Sequence, residues 1–256
     1  MSMHLYSKIQ GRGEPVVILH GLFGSLNNWN TVGRELAKDF RVYLVDQRNH
    51  GRSPHTGVHT YRAMAEDLLD FFREEGIRSA HVIGHSMGGK TAMEFALSFP
   101  EAVRSLIVVD MSPRPTRARH DAIFRALTAI HLDRFSSRES IDEALMEEIP
   151  DRAVRAFLLT NLRREENGRF GWKMNLDALQ RNYGEINRAI ENGRKFSGAV
   201  LFLKGEKSAY LTDEDVPAAR ALFPNVEFRI ISGAGHWVHA EAPGEFLAAV
   251  KEFISF

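Results

Sequence analysis

Short apolar runs recur along the chain, each followed by a turn signal, at residues 16–19, 42–45, 80–83, 106–109, 200–203 and 226–231. Five of the six are almost continuously apolar, the pattern of parallel strands covered on both faces. Stretches of helical period lie between them. In 61–72, Met64, Leu68, Leu69 and Phe72 fall on one face, and an earlier helix is predicted from about Asn28 to Lys38. Strand and helix alternating in this way predict an α/β fold, a mostly parallel, doubly wound sheet flanked by helices. There is no internal repeat and no low-complexity tract.

The alternation stops between Val109 and Ala199, where no convincing strand is found and helical spacing takes over, as in Ile123, Leu127 and Ile130 or Ala153, Phe157 and Leu158. A structureless loop of that length is improbable in a compact domain. The expected organisation is a core of residues 1–111 and 198–256 with a helical lid, or cap, inserted at 112–197 and punctuated by Pro113, Pro115 and Pro150. Such an insertion would lie over the carboxyl ends of the strands, where open α/β sheets bind ligands. The blander alternative is a helical layer that only extends the core.

Composition narrows the function classes. With 256 residues, 44% of them hydrophobic, the chain can bury a full core. Lys+Arg and Asp+Glu are equal at 33 each, and 112–198 holds 16 basic and 13 acidic residues. That balance argues against nucleic acid or a membrane surface as partner. No apolar run is long enough to span a bilayer, and residues 1–8 lack the pattern of a secretion signal, so a cytoplasmic protein is expected. With no cysteine in the chain, covalent catalysis must use another nucleophile.

Gly84-His85-Ser86-Met87-Gly88 supplies the candidate. It has the form Gly-x-Ser-x-Gly between an apolar run and a helix-forming stretch, the setting of a nucleophile elbow. The turn would expose Ser86 and leave the Met87 N–H free to stabilise an oxyanion. His20-Gly21-Leu22-Phe23-Gly24-Ser25 follows the first run and can complete the oxyanion hole with the N–H of Leu22 or Phe23. His20 itself is expected to brace that loop. Of eleven histidines, only His236, in Gly233-Ala234-Gly235-His236-Trp237, sits in a glycine-flanked loop late in the chain, where a base for Ser86 would have to be. His239 is expected to be structural.

The acid is less plainly marked. Its usual place is after the run at 200–203, as Gly-x-x-Asp, but this chain reads Gly205-Glu206-Lys207-Ser208. Asp110, at the tip of the run at 106–109, is the preferred candidate, because a buried carboxylate there needs a partner. Glu206, Asp213, Glu214 and Asp215 are the alternatives, and Asp46 is read as an anchor for the loop that follows it.

Together these motifs resemble the α/β-hydrolase superfamily over essentially the whole chain. More narrowly, 20–25, Asp-Gln-Arg-Asn-His-Gly-Arg-Ser at 46–53, 84–90 and 233–239 look like the bacterial YbfF esterases and the abhydrolase-domain-containing 11 proteins. The resemblance implies esterase or acyl-thioester hydrolase activity and an acid after the sixth strand of the fold, which supports Asp110. The expected reaction is acyl transfer from an ester or thioester to Ser86 and then to water, with no metal or organic cofactor. Serine-triad carbon–carbon bond hydrolases, cofactor-free haloperoxidases and a non-catalytic binding protein of the same fold are the alternatives. Phe124, Phe157, Phe170, Trp172 and Trp237 are candidate pocket residues, although aromatics at such positions are as often core. The expected partner is a small acyl substrate, and the sequence does not set the oligomeric state.

Overall fold

The computed structural model describes residues 3–191 and 193–255; Met1 and Ser2 of the amino-terminal stretch weighed above, Asn192 and Phe256 lie outside the described residues. All six apolar runs form strands of one seven-stranded sheet: β2 (Pro15–Leu19), β3 (Arg41–Val45), β4 (Ala80–His85), β5 (Val103–Val109), β8 (Ala199–Gly205) and β9 (Val226–Ile231). The seventh, β1 (Ser7–Gln10), was not predicted from sequence. It pairs antiparallel with β3 at the edge of the sheet, and its one large apolar side chain, Ile9, is 41% exposed. The order is β1-β3-β2-β4-β5-β8-β9, and every pairing after the first is parallel.

The continuous apolarity of the central strands has a direct cause. Val16, Ile18, Ile83, Ile107 and Val109 pack on one side with Trp29 and Phe246, while Val17, Leu19, Val82, Leu106 and Val108 pack on the other with Phe71 and Phe95. The first side is covered by α1 (Asn30–Leu36) and α11 (Pro243–Ile254), the second by α2 (Tyr61–Glu74) and α3 (Met87–Ser98). The predicted first helix is thus shorter than expected, with Leu26–Trp29 a turn of 3-10 helix ahead of it.

Between β5 and β8 the chain forms α4 (Asp121–Ala129), α5 (Arg138–Ala144), α6 (Arg152–Leu158), α7 (Leu176–Arg181) and α8 (Tyr183–Ile186). Asp151 and Asn175 cap α6 and α7 by accepting backbone N–H groups of the first turn. A hairpin of β6 (Leu162–Arg164) and β7 (Phe170–Trp172) corrects the all-helical expectation. Three residues per strand, with arginine and glycine among them, are too few to display a period.

The segment leaves and rejoins the sheet through one neck. Pro113 O accepts the Ile190 N–H at 2.8 Å, and the Thr116 N–H donates to Asn187 O at 2.9 Å. Lys90 of α3, wholly buried, reaches both crossings, donating to Arg114 O at 2.9 Å and Arg188 O at 2.5 Å. Burial brings its pKa down to about 7, with Asp215 pulling the other way. The remaining helices of this end of the chain are α9 (Val216–Leu222), before β9, and α10 (Val238–Glu241), between β9 and α11.

Candidate active site

The elbow is as tight as the glycines required. A Cβ on Gly84 would meet Gly88 O at 2.2 Å, and one on Gly88 would meet His20 O at 2.5 Å, so strand, helix and neighbouring loop can approach only because both residues lack side chains. Ser86 sits between them at φ 53° and ψ −119°, a conformation that L residues rarely hold. Its N–H donates to Val109 O at 3.1 Å. Met87 is the first residue of α3, so its N–H has no acceptor within the helix.

Facing the serine is the loop after β2. A Cβ on Gly21 would lie 3.2 Å from Ser86 Cβ, which shows how closely the two segments approach. Leu22 and Phe23 follow, both lining the cavity at Ser86, and Phe23 holds φ 59°. His20 braces this loop as expected. Its Nε2 accepts the Gln47 N–H at 3.0 Å, which leaves Nδ1 protonated to donate to Gly21 O at 2.8 Å. Burial lowers its pKa, so the ring stays neutral. Asp46 anchors its loop through the N–H groups of Leu26 and Arg52.

Asp110 is fully buried, one residue past β5, at φ 50°. Its Oδ2 accepts from His236 Nδ1 at 2.6 Å, and its Oδ1 accepts the Gly205 N–H at 3.2 Å. The Ser208 hydroxyl also donates to Oδ2. Ser208 thus stands where the commoner pattern has its acid, and it hydrogen-bonds the displaced one. The alternatives go elsewhere. Glu206 accepts the Gly233 N–H at 2.7 Å, and Asp215 accepts from Ser112 Oγ at 2.8 Å and the Thr212 N–H at 2.8 Å. Glu214 offers its backbone oxygen to Arg114, and Asp213 opens a 3-10 turn.

His236 is partly exposed and lines the same cavity as Ser86. Its carbonyl accepts from His85 Nε2 at 2.9 Å, so the residue before the serine holds the loop that carries the histidine. With Nδ1 committed to Asp110, Nε2 is left to accept a proton. His239 stacks on Trp29, with ring centroids 4.0 Å apart, and burial holds its pKa down to about 3. Burial likewise places His85 well below the ordinary histidine range and His120 at about 4.

A strand-tip serine and a histidine bonded to a strand-tip carboxylate, on a mostly parallel sheet, set the chain beside known proteins. A family model for the alpha/beta hydrolase fold matches residues 14–243. The chain belongs to the α/β-hydrolase fold family. The sn-1-specific diacylglycerol lipase ABHD11 of Xenopus laevis is 40% identical over 250 residues, covering 94% of this chain and 80% of that protein. Esterase YbfF of Escherichia coli is 34% identical over 247 residues, covering 96% of this chain and 95% of that protein. The solved structure of a marine microorganism esterase superposes with a TM-score of 0.96 at 42% identity, covering 98% of this chain and all of that one. These comparisons support an esterase- or lipase-type hydrolase.

The cavity of this α/β-hydrolase measures about 650 Å³. Ile123, Val154 and Phe157 reach it from the segment between β5 and β8, and Trp237 from the loop after β9. Phe157 and Trp237 meet across it, ring centroids 5.3 Å apart. Three of the expected pocket aromatics lie elsewhere. Phe124 is core, packed on Phe23 and Tyr183, and Trp172 lines a separate surface groove with Leu127 and Leu176. Phe170 packs under the Arg164 guanidinium. Aromatic character alone does not mark which way each ring turns. Sequence reading also missed Ser208, His85 and Tyr210 as members of the site. The serine's position three residues past Gly205 was the one available signal, and it was read only as a missing acid.

Proposed function

We propose that the protein hydrolyses carboxylic esters, and acyl thioesters of similar shape, through an acyl-enzyme on Ser86. The observation that carries this reading is the bond from His236 Nδ1 to a fully buried Asp110 Oδ2 at 2.6 Å, opening on the cavity that Ser86 lines. Asp110 holds the tautomer with Nε2 free and stabilises the imidazolium that forms when Ser86 Oγ gives up its proton to attack the carbonyl. The Met87 N–H, with that of Leu22 or Phe23, receives the oxyanion. His236 then protonates the leaving alcohol or thiol, and water, deprotonated by the same nitrogen, releases the acid.

The segment 112–197 acts in this reading as a lid whose Ile123, Val154 and Phe157 receive the acyl chain. The apolar lining and the relatives' names, lipase and esterase, support an apolar acyl group. Among the described residues no helix is long and apolar enough to cross a membrane. The test is a graded panel of p-nitrophenyl esters and acyl-CoAs, assayed with wild type and Ser86→Ala, alongside labelling by a fluorophosphonate. Wild-type turnover and labelling, both lost in Ser86→Ala, are expected; full activity in that variant would end the proposal.

A further inference from the structure

The mechanism above leaves Tyr210 and Arg119 without a role, although both line the cavity. The Tyr210 ring stacks on the His236 imidazole, centroids 3.9 Å apart and planes at 22°. Its N–H donates to Ser208 Oγ at 3.2 Å, so the ring is carried by the loop whose serine donates to Asp110. Arg119 comes from the segment ahead of α4, and its guanidinium lies over the same tyrosine ring, 5.0 Å from the centroid. The backbone that bears it is fixed, since the N–H groups of Arg119 and His120 both donate to the Tyr183 hydroxyl at 2.9 Å.

A single hydrogen bond to Asp110 fixes one atom of the imidazole and leaves the plane free to swing about it. A flat ring at stacking distance fixes the plane. We propose that Tyr210 is a positioning residue for His236, holding the imidazole so that its free nitrogen faces Ser86, and that Arg119 ties this arrangement to the segment covering the site. The inference rests on the reading of His236 as the base.

The electrostatic signs of the two residues are opposite. An aromatic face attracts a cation, so stacking favours the imidazolium that forms during acyl transfer. The guanidinium disfavours it. Around His236 stand Asp110, Tyr210, His85, His120 and His239, with Arg119 on the Tyr210 ring and Glu241 accepting the N–H groups of the flanking Gly235 and Trp237. Burial keeps His85, His120 and His239 neutral near pH 7, which leaves Asp110, Glu241 and Arg119 as the charged groups around it.

The test compares kcat and KM for a p-nitrophenyl ester across the pH range in Tyr210→Leu, Tyr210→Phe and Arg119→Met, with melting curves to confirm folding. Tyr210→Leu should lower kcat about 30-fold with KM within about threefold, because a swung base is a misplaced one. Tyr210→Phe, which keeps the ring, should recover most of that loss. The acidic limb of the kcat/KM profile should move to lower pH in Tyr210→Leu and to higher pH in Arg119→Met. Limbs moving the same way, a loss confined to KM, or no recovery with phenylalanine would overturn the proposal. Arg119 is exposed, so its variant tests the sign even if Tyr210→Leu fails to fold. His236→Ala separates the two levels. Persistent fluorophosphonate labelling there would remove the base itself, whereas its loss beside a wild-type kcat in Tyr210→Leu would remove only the positioning role.

Discussion

Replacing Asp110 by asparagine keeps the shape of the site and removes its buried charge. The amide has two orientations. With its oxygen at the Oδ2 position it still accepts from His236 Nδ1 and Ser208, and its NH2 faces the Gly205 N–H, giving up only the 3.2 Å bond. The reverse orientation keeps the Gly205 bond and makes the amide a donor to Nδ1, which selects the tautomer with its proton on Nε2, where it cannot act as a base. The loss of the charge therefore sets the least that activity should fall, and the tautomer change adds to it. With charge centres about 4 Å apart and an effective dielectric of about 20, the attraction lost from the imidazolium is roughly 4 kcal/mol, which corresponds to about a thousandfold in rate. The assay is the initial rate of p-nitrophenyl butyrate hydrolysis near pH 7.5, read beside the rate of fluorophosphonate labelling, which isolates acylation. Both should fall together. A variant within about tenfold of wild type, folded by circular dichroism, would refute this electrostatic reasoning. If Glu206→Gln were the one to lose the activity, the acid would have to be reassigned.

Two further outcomes follow from the strain and burial around the site. Ser86→Gly should be inactive yet more resistant to urea by about 1 kcal/mol, since glycine adopts φ 53° without the usual penalty of roughly 1–3 kcal/mol; a lower urea midpoint would contradict the assignment of strain to the elbow. Lys90 binds a proton in the folded state only below about pH 7, against about 10.5 in the unfolded chain. Between those values the unfolded state holds more protons, so the lysine's contribution to stability rises with pH across that window. Unfolding curves at several pH values should show this slope in wild type and its absence in Lys90→Met, and parallel curves would refute it.

What the sequence disclosed follows from how strongly each element is constrained. The strands buried on both faces could tolerate little but apolar residues, and they were read without error. β1 has one face and one edge in solvent, so its sequence, Ser-Lys-Ile-Gln, carries no period. Ser86 and His236 were legible because sharp turns demand glycines, and glycines leave a spacing on the page. Asp110 was legible only as a carboxylate stranded at the end of an apolar run. Ser208, Tyr210 and His85 were not, because a hydroxyl donor and stacked rings need no particular neighbours in sequence. Phe124, Phe170 and Trp172 were misplaced for the complementary reason: hydrophobicity predicts burial, and says nothing of which cavity or core receives the ring.

The neck at Pro113–Ile190 and Thr116–Asn187 has a consequence for how such a chain can vary. Because the segment's two ends pair with each other, the sheet sees it as a single closed loop, and closing a longer or shorter loop changes the entropy only slowly. Elements between Thr116 and Asn187 can lengthen or shorten without moving the strand tips that carry Ser86 and Asp110, although an exchange that dropped Arg119 or Asn161 would remove their contacts to Tyr210 and to the Phe23 carbonyl. A graft made at those two residues would exchange the covering segment and leave the strand tips bearing Ser86 and Asp110 in place.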